Sequence, residues 1–457
     1  MKYLLNKQNS FLWNHRELFL KLGGKMKLFK NMNIENNILN IGGLKVTDLT
    51  KKYTTPLYVM DINFIEERIK EFKDNFKSKH FKTEIIYASK AFLCKGMCKI
   101  IKNMDTHMDA VSGGELYLIK HSNFDMQKVH MHGNNKTYDE LLMCFEYNIG
   151  CIIIDNYDEA RKIVDIAKLK NKKMKVMIRV NVGIDAHTHE YIKTSKHNSK
   201  FGVSVYSKQL NEIIHLILKC NLLEFLGFQC HIGSQIFEKE AFLEEIKILI
   251  IESKKIENIF GIKIRELDIG GGFGVYYTSE DKPIPIKIFM EFLISTTEKI
   301  LAEEQMSIEK LYIEPGRSII ANAGCTIYSI GGIKETYGGT KYIFVDGGMS
   351  DNIRPCLYQA KYEAIVANRA SEDRVQKVTV AGKCCESGDV LIKDYLLQKC
   401  EVGDFLVIFS TGAYGYSMAS NYNKIPRPAV IFIKDGKDFL AIKRESYDDL
   451  IKLDINY

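Results

Sequence analysis

Ile85-Ile86-Tyr87-Ala88-Ser89-Lys90 is a short apolar run that stops on a lysine, with a charged segment before it and a helical pattern after it. A run of this length, rich in β-branched and aromatic residues, reads as a strand. A strand followed by an amphipathic helix is the unit of a parallel sheet, and the chain repeats that unit from Thr55 to about Ile320. Expected strands are Leu57–Met60, Glu84–Ala88, Met108–Ala110, Val129–His132, Cys151–Ile154, Lys175–Val182, Leu226–His231, Glu266–Ile269 and Lys310–Ile313. Amphipathic helices between them include Ile62–Phe76, Tyr157–Leu169, Lys239–Ile256 and Ile286–Glu303. About eight such units point to a closed (β/α)8 barrel of the TIM type and away from an open doubly wound sheet.

After Glu314 the pattern changes: helices nearly vanish, and short strands separated by turns follow to Arg444. That is the pattern of an antiparallel β-sandwich or β-barrel domain. Asn37–Val46 also reads as a hairpin that joins it, so the barrel is expected as an insertion in the β domain. The division is then residues 1–36 as a low-complexity, disordered extension, 37–56 as strands joining the β domain, 57–318 as the barrel and 319–457 as the β domain.

Composition bounds the function. At 457 residues the chain exceeds one compact domain, and 46% apolar with 26% charged residues is an ordinary globular balance. The net charge of +7 is diffuse, with no basic block interleaved with aromatics, so no nucleic-acid partner is expected. Eleven cysteines at irregular spacing suggest no disulfide framework. Cys94-Lys95-Gly96-Met97-Cys98 and Cys384-Cys385 lack zinc spacing, so no metal is expected either. A reducing cytoplasm follows. Phe11–Leu22 reads as a short amphipathic helix, too polar for a membrane span or a secretory signal, and no other segment approaches spanning length.

In a (β/α)8 barrel the active site lies at the C-terminal ends of the strands. The chemistry-bearing residues fall there: Lys90, Asp109 with Ser112-Gly113-Gly114-Glu115, Arg179 and Asn181, His231, Gly270–Gly274, and Glu314-Pro315-Gly316-Arg317. A partly desolvated lysine amine forms Schiff bases with aldehydes. Gly270-Gly271-Gly272-Phe273-Gly274 lets backbone N–H groups converge on a phosphate, and a tight loop that binds nothing fits it equally well. The spacing is not that of a dinucleotide fingerprint, and Val275–Pro285 reads as a loop where that motif needs a helix. Ser234 after His231 offers a second phosphate donor. Glu314 and Arg317 form either an ion pair across a turn or a pair of contacts, one to a cofactor ring nitrogen and one to an anion.

In combination, the motifs YASKAF, GGEL, HIGSQ, GGGFG, EPGRS, VDGGMSDNIRPCLY, CCESGD and GAYGYSMASNYN make the chain resemble the diaminopimelate decarboxylases. These belong to the alanine-racemase-like (fold type III) group of decarboxylases that use pyridoxal 5'-phosphate. The likeness runs from about Val46 to Lys434, and Gly183-Ile184-Asp185-Ala186-His187 leading to Ser199-Lys200-Phe201-Gly202 is similar to the segment that marks this decarboxylase within its group. It implies that Lys90 carries the cofactor as a Schiff base, that His231 stacks on its ring, and that Glu314 pairs with its ring nitrogen. It implies a phosphate held by Ser234, the Gly270, Gly271 and Gly272 loop, and the backbone around Pro315 and Gly316. Arg317, Arg354 and Tyr358 resemble the residues that bind the substrate's distal carboxylate, and Tyr414 resembles one that contacts the cofactor. Cys385 resembles the acid that reprotonates the carbanion, and Glu386 the group that receives the distal ammonium. Both are implied to enter the pocket of a second subunit, so a homodimer with shared sites is implied. The implied reaction is decarboxylation of meso-2,6-diaminopimelate to L-lysine and CO2, the final step of L-lysine biosynthesis.

Three departures from the family pattern stand out: Ser195 within Ile192–Ser199, Lys383 before the cysteine pair, and Ile425-Pro426-Arg427-Pro428. They bear on loop closure, not on the reaction class. Two other readings stay open. One is a decarboxylase of the same fold acting on ornithine, arginine or carboxynorspermidine, which would do without the Arg354 and Tyr358 pair. The other is a non-enzymatic relative that keeps the barrel, whose mark would be loss of Lys90, Cys385 or a loop glycine.

Overall fold

The computed structural model describes residues 27–184 and 199–456. Eight parallel strands pair each with the next in chain order: Lys82–Tyr87, His107–Ala110, Val129–Met131, Cys151–Ile154, Met174–Asn181, Leu223–Gln229, Glu266–Asp268 and Lys310–Ile313. The last strand pairs with the first in register Ile313↔Ile85, which closes the barrel. All four residues of Cys151–Ile154 are buried, as a strand enclosed on both faces requires.

The helices between the strands carry their own start and stop signals. Tyr157–Lys170 begins at Asn156, whose side chain accepts from the Glu159 N–H, with Asp158 and Glu159 in the first turn and Lys168 and Lys170 in the last. It ends on Asn171 in the left-handed conformation and turns Ala160, Ile163, Ile166 and Ala167 to the barrel wall. Tyr138–Glu146 opens with a capping box between Thr137 and Glu140.

Leu57–Asp61 departs from expectation. It is not a barrel strand: it pairs antiparallel with Gly324–Glu335 and parallel with Ala429–Lys434, at the centre of the second domain. A fully buried strand looks the same in either sheet, and only its distant partners decide which it joins. Because this strand precedes the barrel and its partners follow it, the barrel is an insertion in the β domain. That domain is mainly antiparallel but mixed, since Lys341–Val345 also pairs parallel with Arg374–Ala381. Met32–Glu35, Ile38–Ile41 and Leu44–Lys45 form a separate three-stranded sheet, so residues 32–35 are ordered here where an extension was expected. It packs through Leu39 and Ile41 on Val407 and Ile431 of the β domain.

The two domains meet beside Lys90. The Tyr414 N–H donates to the Ala91 carbonyl at 2.8 Å, the Ser417 hydroxyl to the same oxygen at 3.1 Å, and Phe92 meets Phe432 edge-on. The β domain thereby roofs the first strand end of the barrel.

Candidate active site

Where the domains meet, a cavity of about 250 Å3 opens at the C-terminal ends of the barrel strands. From the barrel it is lined by Lys90, His231, Ser234, Gly272, Glu314, Gly316 and Arg317, and from the β domain by Arg354, Tyr358 and Tyr414. Lys90 sits in the single 3-10 turn Ser89–Ala91 that ends the strand Lys82–Tyr87, with its side chain exposed to the opening. Two backbone contacts hold that turn: the Ser89 N–H donates to Asp109 Oδ1, and the Ala88 N–H donates to the Pro315 carbonyl at 3.3 Å. Asp109 is buried, and next to it burial pushes the Glu115 carboxyl up to about 7, with Asp109 adding to the shift.

Gly270, Gly271 and Pro315 serve the cavity from behind and do not line it. Gly270 closes the loop onto the last strand, its carbonyl accepting from the Glu314 N–H at 2.7 Å. A Cβ on Gly271 would stand 2.1 Å from the Glu314 carbonyl, so only glycine lets these strand ends meet. Gly272 has φ +108°, and a Cβ there would stand 2.2 Å from the Gly233 carbonyl. The Gly271 N–H also donates to His231 Nδ1 at 3.3 Å. A nitrogen that accepts carries no proton, and burial, followed by Lys90 and Arg179, pushes His231 down to about 3. Its ring is therefore neutral. Arg179 itself packs its guanidinium 4.6 Å from the Phe201 ring.

Glu314 is largely covered at the end of the last strand, with Gln229 Nε2 donating to Oε2 at 3.2 Å and His132 Nε2 2.9 Å from Oε1. Burial alone would raise its proton affinity, but His132, then His231 and Lys90, outweigh burial and hold the carboxyl below the usual range. The cavity thus carries an ionised carboxylate across from an amine, with a neutral ring between.

Arg317 and Arg354 are both 6% exposed, and among the described residues neither has a carboxylate within ion-pair distance. Arg317 gives Nη1 to the Tyr277 hydroxyl at 2.6 Å, and Nη2 and Nε to Ser234 Oγ at 3.1 and 3.3 Å. Ser234, expected as a phosphate donor, is thus also an acceptor for Arg317, and its own proton is left for an anion. Arg354 lies 5.1 Å from the Tyr358 ring and 5.5 Å from the Tyr414 ring, with Nε unpartnered; Arg317 lies 4.8 Å from the same Tyr414 ring. Tyr414 holds φ +60°, a conformation that costs a bulky residue about 1–3 kcal/mol, and it places its ring between two cations. Two buried guanidinium groups without a counter-ion form a site built for one.

Cys385 and Glu386 are not in the cavity. Both are exposed at the tip of the loop 383–389 on the β domain, the Cys385 N–H donating to Asn423 Oδ1 at 2.8 Å. Cys384 is buried, and burial raises its thiol. Lys383 is pinned by its N–H to the Gly347 carbonyl at 2.9 Å. Ser195 lies outside the described residues.

His132, Gln229 and Tyr277 are site residues that motif reading passed over. A signal existed for His132, the last residue of an expected strand and so a rim residue like the others. For Tyr277, in the loop after the glycines, nothing in the sequence marks a contact with Arg317.

The lining suits pyridoxal phosphate: an amine, a neutral ring, an ionised carboxylate, glycine-lined close approaches and a hydroxyl with a proton to give. Comparison with known proteins agrees. Residues 62–321 match the family model described as pyridoxal-dependent decarboxylase, pyridoxal binding domain. The chain is 43% identical over 419 residues to the diaminopimelate decarboxylase of Bacillus subtilis (strain 168), covering 92% of this chain and 95% of the relative. It is 44% identical over 411 residues to that of Bacillus methanolicus, covering 90% and 95%. The crystal structure of the M. jannaschii diaminopimelate decarboxylase in complex with L-lysine superposes with a TM-score of 0.88 at 33% identity, covering 94% of this chain and 98% of that one. The chain belongs to the diaminopimelate decarboxylase family of pyridoxal-phosphate-dependent enzymes.

Proposed function

We propose that the protein decarboxylates meso-2,6-diaminopimelate to L-lysine and CO2, the final step of L-lysine biosynthesis. The observation that carries this reading is the pair of buried arginines, Arg317 and Arg354, without a carboxylate partner, facing the same cavity as Lys90 and Glu314. Their planar forks suit a distal carboxylate, which a simple diamine precursor such as ornithine lacks.

Lys90 would hold the cofactor by its aldehyde, His231 would serve its ring, Glu314 its ring nitrogen, and Ser234, Gly272 and the backbone at Gly316 its phosphate. Bound pyridoxal phosphate supplies the electron sink for the pair left behind when CO2 departs. Glu314, ionised and largely covered, keeps a proton at the ring nitrogen, which deepens that sink. Arg317, Arg354 and Tyr358 bind the distal carboxylate and so orient the reacting carbon. The Cys385 thiol returns a proton to that carbon, and Glu386 takes the distal ammonium.

Cys385 and Glu386 lie on an exposed loop, so we assign them to the cavity of a second copy of the chain, in a homodimer with shared sites. A cytoplasmic location fits the eleven cysteines. No helix among the described residues is long and apolar enough to cross a membrane.

The test is CO2 release from purified, cofactor-loaded protein offered meso-diaminopimelate, ornithine and arginine separately. Turnover of diaminopimelate alone is expected, and preference for ornithine overturns the specificity assignment.

A further inference from the structure

Glu314 is fixed from the far wall of the barrel. His132 follows the strand Val129–Met131 and still donates its backbone N–H to the Ala110 carbonyl at 2.7 Å, so its side chain is held at the rim. Its Nε2 stands 2.9 Å from Glu314 Oε1. Two bare acceptors cannot rest that close, so Nε2 carries a proton. The N–H runs off the straight line to the oxygen, yet it still lies against the carboxylate as a donor that favours its ionised form.

The groups around this contact sort cleanly. Below His132, on the same strand and the same side, His130 is buried with Nε2 3.1 Å from His107 Nδ1. Burial pushes both rings down, His107 to about 4, so these two histidines add no cation, and Lys310 below them is paired with Glu266 at 3.0 Å. His132, His231 and Lys90 draw Glu314 toward its ionised form. Asp109, from the second strand, faces both His132 and Glu314. Asp268, on the seventh strand, opposes Glu314; burial and then Glu314 itself push it well up, so Asp268 is the carboxyl that keeps a proton. Glu245, fully buried behind them, is likewise pushed up to about 8 by burial. Among these carboxyls, Glu314 alone has a histidine nitrogen at ion-pair distance.

We propose that His132 is a positioning residue for the reaction: it holds Glu314 as a carboxylate turned toward the cofactor's ring nitrogen. The inference rests on the reading of Glu314 as that nitrogen's partner. Without His132, Glu314 binds a proton more readily, and the ring loses its ionised neighbour as pH falls. The acid limb of activity then moves to higher pH.

The test uses full-length native protein, His132→Phe, His132→Gln, Glu314→Gln and the His132→Phe/Glu314→Gln double variant. Each is assayed for kcat and KM across pH, and each apoprotein is titrated with pyridoxal phosphate by absorbance. On the acid limb, where Glu314 takes up its proton, His132→Phe is expected to lower kcat about tenfold, the effect of about one unit in the proton affinity of Glu314, with little change on the plateau and KM within about twofold. Its acid limb should rise and its affinity for pyridoxal phosphate should weaken. His132→Gln, which returns an N–H near the Nε2 position, should recover most of kcat and the affinity. The double variant should match Glu314→Gln to within about twofold, since His132 acts only through Glu314. Independent losses in the double variant, an unmoved acid limb, or no recovery in His132→Gln overturns the inference. An impaired Glu314→Gln beside an unaffected His132→Phe overturns it alone. A fully active Glu314→Gln removes the reading beneath it as well.

Discussion

The barrel mouth and the loop at residues 383–389 carry equally dense motifs and are built in opposite ways. At the mouth, several groups are already engaged with others of the same chain: His231 with Gly271, Ser234 with Arg317, Glu314 with Gln229 and His132. The loop is pinned at its base, where Asp389 accepts from the Met349 and Cys384 N–H groups at 2.7 and 2.8 Å, and by the Cys385 N–H to Asn423 Oδ1, all on its own β domain. Its tip, with Cys385 and Glu386, points to the outside. A single chain therefore preassembles the half proposed to hold the cofactor and the substrate carboxylate. The half proposed to deliver the proton is formed but presented outward.

The sharpest way to break this contrast is Lys90→Ala. It should lose about a thousandfold or more in activity, and borohydride reduction of the loaded protein should leave no labelled peptide. Label on another lysine would move the cofactor anchor out of the mouth. Cys385→Ala should lower product formation by about a hundredfold or more while the protein still takes up pyridoxal phosphate. If the loop serves a second copy, mixing the two inactive variants restores one intact site in each mixed dimer, or about a quarter of native activity after full exchange. Exchange without recovery would place the loop over its own barrel.

The same contrast explains what could be read from the sequence. Strand–helix alternation is local, so the barrel and its order were legible, and Lys90, the glycine loop and Glu314 stood out because strand ends are where a barrel keeps its chemistry. Sheet membership is not local. Leu57–Asp61 is buried throughout and apolar up to Met60, and only its partners at Gly324 and Ala429, hundreds of residues away, assign it to the β domain. Convergence across the bore is equally hidden: nothing near His132 or Gln229 in the sequence announces Glu314. Ser234 was legible as a polar donor, but its service to Arg317 depends on a side chain from another strand end. The buried pair of Lys136 and Glu159, 2.7 Å apart beneath the loop after His132, belongs to the same class.

Within the mouth, the two arginines separate strong from weak effects. Arg354 has no partner for Nε and lies against the Tyr358 and Tyr414 rings beside the Tyr362 hydroxyl, with no carboxylate among the described residues to pair its charge, which is what a proposed substrate-binding role requires. Arg354→Lys keeps the charge and loses the fork; KM for diaminopimelate should rise about ten- to a hundredfold with kcat less affected. A KM unchanged within error would take the distal carboxylate away from this residue.

Tyr277 is the smallest lever and the most discriminating. Its hydroxyl accepts from Arg317 Nη1 at 2.6 Å, and its ring meets Tyr362 edge-on at 5.4 Å, so it braces Arg317 from the side away from Ser234. Tyr277→Phe keeps the ring and removes one hydrogen bond to a charged group, worth about 1.5–3 kcal/mol if the guanidinium stays put. A freed Nη1 can instead turn toward the substrate carboxylate and regain part of that. The expected result is a rise in KM of a few fold at constant kcat, with cofactor affinity unchanged because Ser234 still holds the other edge of Arg317. A fall in cofactor affinity in this variant would show that Arg317 ties the substrate site to the phosphate site through Ser234, and that the mouth responds as one unit and not as two.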